Sequence, residues 1–503
     1  VAVQQLVKQF LDRAAAADHI AVIDDSGPHP ASEIVAAADD LAAALGDGVP
    51  RTVLVQADNS WRTLAATVAV GRAGGVIAVV NRHTTAAELA DAFDDIRPDA
   101  VVVDPSAFEE WQLATLLGAG PSGTALDGWT VATTDPAGVG RWSGGGLIGL
   151  TSGSTGRAKG VVQSGDAIAY AGARTIEIND LRPGDPIAAI VPLSSTAAFC
   201  FGIGVALQLG GPLVTASRWR PDALLERMGA AGVRWVMCVP TMALQLGRAA
   251  EEHGAGDDLA SMTVGGGPMD LAALQRAETA LHTRILRVFG MSECLGHTSP
   301  LPTDPVEVRL GRDGRPFPGT EVRGVDTDGL PVPEGEVGRA QVRGPSLFLG
   351  YARAGRLHPV EVTADGWFPT GDLVRRNGDG TISIMGREKD VIIRGGRNID
   401  VLEVETAVAS HPGIESACVV PLPDPELGER IGVLVVTEPG HPVALPDLLA
   451  HLGSVGLSKT KWPEYLFQVE ALPQTRVGKL SRPEAKDLAA RLHRAGTQIG
   501  AAS

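Results

Sequence analysis

Short β-branched runs alternating with helical segments constrain this chain more than any other feature. Between residues 51 and 104 the runs TVLVQ, GVIAVV and AVVVD are separated by WRTLAATVAVGRAG and TAAELADAFDDI. Strand, helix and strand in that rhythm predict a mostly parallel sheet covered on both faces, so the class is α/β. The rhythm returns at RWVMCVP (234–240), with a helix after it, and at RILRVFG (284–290). From about residue 310 the texture changes to short strands punctuated by Gly and Pro, such as GRPFPGTEVRGVD, EVGRAQVRG and GTISIMG. That predicts a β-rich subdomain over about 310–385. The segments VLEVETAVASHPG, ESACVVPLP and IGVLVVTEPG then read as a compact α+β unit over 391–503, with GREKD (386–390) as the junction. A chain of 503 residues exceeds what one core supports, which agrees with a large N-terminal domain over 1–385 and a smaller C-terminal one.

Charge and cysteine usage narrow the function classes. The net charge is −16, most of it before Gly386, which argues against nucleic acid as the partner because phosphate backbones call for a basic surface. Cys200, Cys238, Cys294 and Cys418 are scattered with no CxxC, so reduced cytosolic thiols are expected rather than a disulfide frame or zinc site. The opening VAVQQLVKQFLDRAAAAD reads as an amphipathic helix without the apolar core of a signal peptide. No charged residue lies between Asp185 and Arg218, a stretch long enough to cross a bilayer. Pro192, Pro212, several glycines and a Ser-Ser-Thr cluster interrupt it, which favours a buried strand–loop–helix–strand over a membrane span.

The segment GLIGLTSGSTGRAKGVV (146–162) carries the most chemistry. An apolar strand ends in Thr151-Ser152-Gly153-Ser154-Thr155-Gly156, and Lys159 follows. Hydroxyls and glycines at that density make a loop whose N–H and O–H groups can converge on phosphate oxygens, and Lys159 adds positive charge. A plain Ser/Gly surface turn is the bland alternative. Lys159 precedes Gly160, so the loop is not a Walker loop, and no GxSxG frame makes it a nucleophile elbow.

TSGSTGRAKG closely resembles the signature loop of the adenylate-forming superfamily, which includes acyl- and aryl-CoA ligases, adenylation domains of peptide synthetases and luciferases. Further matches follow along nearly the whole chain. Gly265-Gly266-Gly267-Pro268 is similar to the family's glycine-rich turn beside adenine. Phe289-Gly290-Met291-Ser292-Glu293 resembles the aromatic-Gly-x-Thr-Glu motif, with Ser292 keeping the hydroxyl of the usual Thr. Its Glu293 carboxylate is a hard oxygen ligand suited to Mg²⁺, although capping a following helix is an alternative. Thr370-Gly371-Asp372 resembles the motif whose Asp accepts bonds from ribose hydroxyls, a task suited to an acceptor-only carboxylate; a generic turn is the alternative. Gly386-Arg387-Glu388-Lys389-Asp390 resembles the hinge, which implies that Arg387 meets ribose or phosphate and that Lys389 is the pivot. Gly395-Gly396 fall on a lid strand that, in the family, borders the pantetheine tunnel. LPQTRVGKLSR (472–482) resembles the Pro-x-x-x-x-Gly-Lys motif and identifies Lys479, although Val477 stands where Ser is usual.

The resemblance implies an ATP- and Mg²⁺-dependent ligase. It would join a carboxylic acid to AMP with release of pyrophosphate, then pass the acyl group to CoA while a mobile C-terminal lid turns about Lys389. Transfer to an amine, giving an amide, or to a carrier-protein thiol uses the same motifs. A non-catalytic nucleotide-binding protein on this fold is the remaining class. Where many members read Pro-Leu-aromatic-His, this chain reads Pro192-Leu193-Ser194-Ser195-Thr196, a smaller and more polar wall. Ser195, Phe199, Phe201, Gly290 and His297 are the candidates for lining the acid pocket, and the expected acid is small and hydrophobic, alicyclic or aryl.

Overall fold

The computed structural model describes residues 2–46, 48–49, 51–137, 139–151, 158–254, 258–267, 271–438, 440–475 and 479–496. They cluster into two units. The first comprises Val1–Gly265, Gln275–Val322 and Val342–Phe368; the second comprises Gly266–Leu274, Arg323–Gln341 and Pro369–Ser503.

The first unit is built on two nine-stranded sheets. In one, the strands Ala100–Val103, Thr52–Gln56, Val76–Val80 and Gly145–Thr151 run parallel at the centre. Lys159–Ser164 joins antiparallel to Gly145–Thr151, and Gly350–Arg353 joins antiparallel to Lys159–Ser164. Val53, Val55, Ile77 and Val79 point into one apolar cluster, while Leu54, Val76, Ala78 and Val80 point into another. Alternate side chains of a strand face opposite ways, so a strand apolar at every position is what a sheet buried on both faces requires. The helix Trp61–Arg72 starts on a Ser60 cap, and Ala86–Ile96 starts on a capping box made by Thr85 and Glu88. The opening helix Ala2–Ala16 buries Leu6, Val7 and Phe10 as its amphipathic pattern predicts.

The other nine-stranded sheet runs parallel from Ile20–Asp24 through Leu213–Thr215, Ile187–Ala189, Trp235–Cys238 and Ser261–Gly265 to Arg284–Met291. The uncharged stretch after Asp185 is therefore core: strand Ile187–Ala189, a helical passage through Phe199–Gly204 and Val205–Leu209, and strand Leu213–Thr215. Among the described residues no helix is long and apolar enough to cross a membrane.

Glu321–Val325, Val337–Arg343, Phe368–Arg376 and Ile382–Arg387 form a four-stranded sheet, the β-rich subdomain foreseen from Gly/Pro punctuation. The second unit also holds a five-stranded sheet that includes Val391–Arg394, Ile414–Asp424 and Gly428–Thr437. Helices Val401–Ala409 and Leu445–Ser454 share a cluster with Val419, Val433 and Val435. Helix Arg482–Arg494 places Ala485 and Ala489 in a cluster with Cys418, Val420 and Leu434. The period-2 alternation of the two long strands thus separates two small cores. All four cysteines are free and buried, and burial pushes the Cys294 thiol up to about 11 and Cys418 to about 12.

Candidate active site

In the first unit the phosphate-loop candidate is the connection of a hairpin. Thr151 and Lys159 are paired across antiparallel strands, and the Thr151 hydroxyl donates to the Lys159 carbonyl at 3.4 Å. Ser152, Gly153, Ser154, Thr155 and Gly156 lie outside the described residues. Lys159 opens the returning strand, and its ammonium lies 5.2 Å from the ring centroid of Tyr351.

Ser292 and Glu293 make the two-residue turn between strands Arg284–Met291 and Cys294–Ser299, with Met291 paired to Cys294. No helix follows, so the alternative of Glu293 as a helix cap is set aside. The turn is held from two sides. Gln163 Nε2 donates to the Ser292 carbonyl at 2.6 Å. The Phe348 N–H donates to the Glu293 carbonyl at 2.8 Å, and the Leu295 N–H donates to Ser346 at 3.2 Å. The Tyr351 hydroxyl donates to Glu293 Oε1 at 2.9 Å. Burial, and then the charge of Glu293, raise the Tyr351 hydroxyl well above its ordinary value, so it stays a donor. Neither Tyr351 nor Gln163 was singled out by motif reasoning. The signals they leave are an aromatic after Gly in LFLGYAR and a Gln directly after the apolar pair Val161-Val162.

A carboxylate in that setting fits Mg²⁺ delivered with a nucleotide, since the ion usually takes one or two carboxylates plus substrate phosphates. Among the described residues no group of three His, Cys, Asp or Glu side chains forms a metal cage of its own.

Of the pocket candidates, Gly290 and His297 lie on the two strands that the turn joins. His297 is fully buried, its ring centroid is 5.0 Å from that of Phe289, and neither ring nitrogen has a hydrogen-bond partner among the described residues. Burial pushes this imidazole down to about 3, so it is neutral. Gly290 is exposed, and a side chain there would meet only ordinary contacts with the backbone of Cys294, Gly296 and His297, so local packing does not demand the glycine. Phe199 and Phe201 belong to the main apolar cluster, and the Ser195 hydroxyl caps a short helix by accepting from the Ala198 N–H at 3.1 Å. Gly265 is forced by packing, because a Cβ would fall 3.0 Å from the Val288 carbonyl oxygen.

In the second unit, Asp372 and Arg387 face each other on paired strands, with Arg387 Nε donating to Asp372 Oδ1 at 3.0 Å. Asp372 is 2% exposed and its Oδ2 has no partner among the described residues. Burial raises this carboxyl above its usual range, partly offset by Arg387. A buried acceptor oxygen left open is costly unless a ligand donor meets it. Lys389 is exposed in the turn after Ile382–Arg387. Gly266 has φ +88, a backbone conformation that favours glycine, and the end of the Lys479 side chain approaches it, with Cε 2.8 Å from where a Cβ would stand. Gly267 is half-buried beside it. The Lys479 N–H donates to Thr475 Oγ1 at 3.2 Å, and Gln474 pairs with Leu480. Three residues on, Arg482 donates twice to Glu405 at 2.7 Å, and Glu405 is 1% exposed.

Comparison with known proteins fits this geometry. The profile of the AMP-binding enzyme family matches residues 11–352, and that of the AMP-binding enzyme C-terminal domain matches 403–479. A salicylyl-CoA synthase / salicylate adenylyltransferase of a Streptomyces species is 35% identical over 67% of this chain and 62% of its own length. The chain thus spans less than two thirds of that relative. The salicyl-AMP ligase / salicyl-S-ArCP synthetase of Mycobacterium tuberculosis is 31% identical over 92% of this chain and 87% of its own. The ATP-bound crystal structure of MatB from Rhodopseudomonas palustris is 26% identical, covers 97% of this chain and 99% of its own, and superposes with a TM-score of 0.83. The chain belongs to the AMP-binding enzymes of the adenylate-forming superfamily.

Proposed function

We propose that this protein activates an aromatic carboxylic acid with ATP and passes the acyl group to a thiol, CoA first among the candidates. The observation that carries the nucleotide half is the buried, open Oδ2 of Asp372 beside Arg387, an acceptor suited to a ribose hydroxyl. The preference for an aryl acid and a thiol rests on the two salicylate-activating relatives, one named for CoA and one for a carrier protein.

In the first step a carboxylate oxygen bonds to the α-phosphorus, the bond to the bridging oxygen breaks, and pyrophosphate leaves with the electron pair. Two anions must approach, so positive charge and amide donors are needed at the reacting centre. The loop 151–156 and Lys159 hold phosphate, the turn Gly265-Gly266-Gly267 leaves room for a flat base, and Asp372 with Arg387 holds the ribose. Glu293 would hold Mg²⁺, which when bound would neutralise phosphate charge. Ser292 keeps a hydroxyl beside it, and Lys479 stabilises charge developing on the α-phosphate. In the second step the thiol sulfur attacks the acyl carbon, AMP departs with the electron pair of the C–O bond, and the thiol proton is released. The turn 386–390 serves as the hinge between the two steps, with Lys389 as pivot. His297 and Phe289, with exposed Gly290, are the proposed wall for the aromatic ring; Ser195, Phe199 and Phe201 support it from the core.

Product mass spectrometry tests this with ATP, Mg²⁺ and a panel of aryl, alicyclic and medium-chain acids, each offered CoA, a pantetheinylated carrier protein or a simple amine. Pyrophosphate release that depends on an aryl acid, with an acyl thioester as product, is expected. Amide formed without any thiol would reassign the acceptor, and ATP binding without pyrophosphate under any acid would make the chain a nucleotide-binding protein only.

A further inference from the structure

Lys159 and Glu293 carry opposite charges at two neighbouring turns of the first unit, yet the described residues show no ion pair between them. Tyr351 stands in the way. Its ring face receives the Lys159 ammonium at 5.2 Å, and its hydroxyl donates to Glu293 Oε1 at 2.9 Å. The register fixes this. Tyr351 pairs with Val161, two residues after Lys159, and the same strand follows Ser346 and Phe348, which bond the backbone of Leu295 and of Glu293. Phe348 meets the Tyr351 ring edge-on at 4.9 Å, which limits its rotation. A ring face attracts a cation without offering it a counter-charge, and a phenol hydroxyl binds a carboxylate without neutralising it.

We infer that Tyr351 is a positioning residue for nucleotide activation: it keeps Lys159 and Glu293 apart and un-neutralised, the one for phosphate and the other for the metal, and aims the second oxygen of Glu293. The inference rests on the proposed roles of Lys159 and Glu293. A direct Lys–Glu pair would cancel both charges before substrate arrived, and a bonded carboxylate oxygen is the kind of support whose loss costs metal affinity about 10–100-fold.

The test is binding without turnover. Mn²⁺ affinity of the enzyme–ATP complex is read by electron paramagnetic resonance with no acid present, and ATP affinity is read separately in EDTA. Tyr351→Phe keeps the ring and loses the hydroxyl, so Mn²⁺ affinity should fall about 10-fold or more while metal-free ATP affinity holds within twofold. Tyr351→Leu also removes the ring face, so Lys159 is free to pair with Glu293 and metal-free ATP affinity should fall as well. Unchanged Mn²⁺ affinity in Tyr351→Phe, or equal loss of metal-free ATP affinity in both variants, overturns the inference. Melting curves identify a variant that fails to fold, and Tyr351→Trp, which keeps an aromatic face without the hydroxyl at that position, then takes its place with the same expectation as the Phe variant. Glu293→Gln is the control for the underlying reading. If it leaves Mn²⁺ affinity untouched, the metal assignment itself fails, whatever Tyr351 does.

Discussion

The two units hold their functional groups by different means. In the first, Glu293 is fixed by backbone: a two-residue turn between paired strands, bonded on one side by Phe348 and on the other by Gln163. In the second, Lys479 stands exposed, and the nearby anchor is a charge pair, Arg482 on buried Glu405. Strand pairing fixes position with little dependence on any one side chain, whereas a buried ion pair is only as good as its geometry. The difference suits the proposed roles. A carboxylate proposed to bear a metal gains from standing still, and a lysine on a segment proposed to turn about 386–390 needs a rigid mount that travels with it.

The largest effect is expected from Lys479→Ala, which should lower acid-dependent pyrophosphate release by about 10²–10³-fold with ATP affinity retained. Unchanged release would remove Lys479 from the mechanism and leave the second unit without a reason to hold it. Arg482→Ala should come next. It strands a carboxylate that is almost wholly buried, so calorimetry should show the second unit destabilised by about 3–5 kcal/mol. Replacing both partners, Arg482→Met with Glu405→Leu, should recover most of that loss, and failure to recover would mean that the mount depends on the charges themselves.

A smaller effect is expected in the first unit. His297 is held near 3 when folded and returns to about 6.5 when unfolded, so between those values the unfolded chain binds one more proton. Its contribution is therefore fully present above about pH 6.5 and lost as pH falls toward 3. By pH 5 the loss is about 2 kcal/mol, and urea midpoints of His297→Leu should fall less steeply over that range by about this amount. Equal acid sensitivity in both proteins would refute the burial argument. Smallest is Lys389→Pro, which fixes φ in the proposed hinge and should slow thioester formation several-fold more than adenylation. Equal slowing of both steps would remove the hinge role from 386–390 and with it the contrast between a fixed carboxylate and a travelling lysine.

How much of this was legible depends on how local the signal was. The parallel sheets were, because TVLVQ, GVIAVV and AVVVD carry unbroken apolar runs of three residues or more, which fit burial on both faces. Asp372 and Arg387 were found as two motifs, but that they face each other follows from a strand register the sequence does not print. For Glu293 the sequence left a helix cap as the alternative to a metal ligand, and only the antiparallel pairing of Cys294 with Met291 and of Thr298 with Phe289 shows that a strand follows the turn. Tyr351 and Gln163 left almost no trace: they meet the turn from 58 and 129 residues away. Motif reasoning finds groups that touch ligands and overlooks those that touch the groups.

The burial of all four cysteines has a practical side. Thiol-reactive dyes depend on exposed thiolate, and burial denies these sulfurs both access and ionisation. The folded native sequence is therefore a dark background for maleimide labelling. Cysteines introduced before and after 386–390 would carry fluorophores against that background, so whether the segments on either side of this proposed hinge move can be tested without first stripping the protein of its own sulfur.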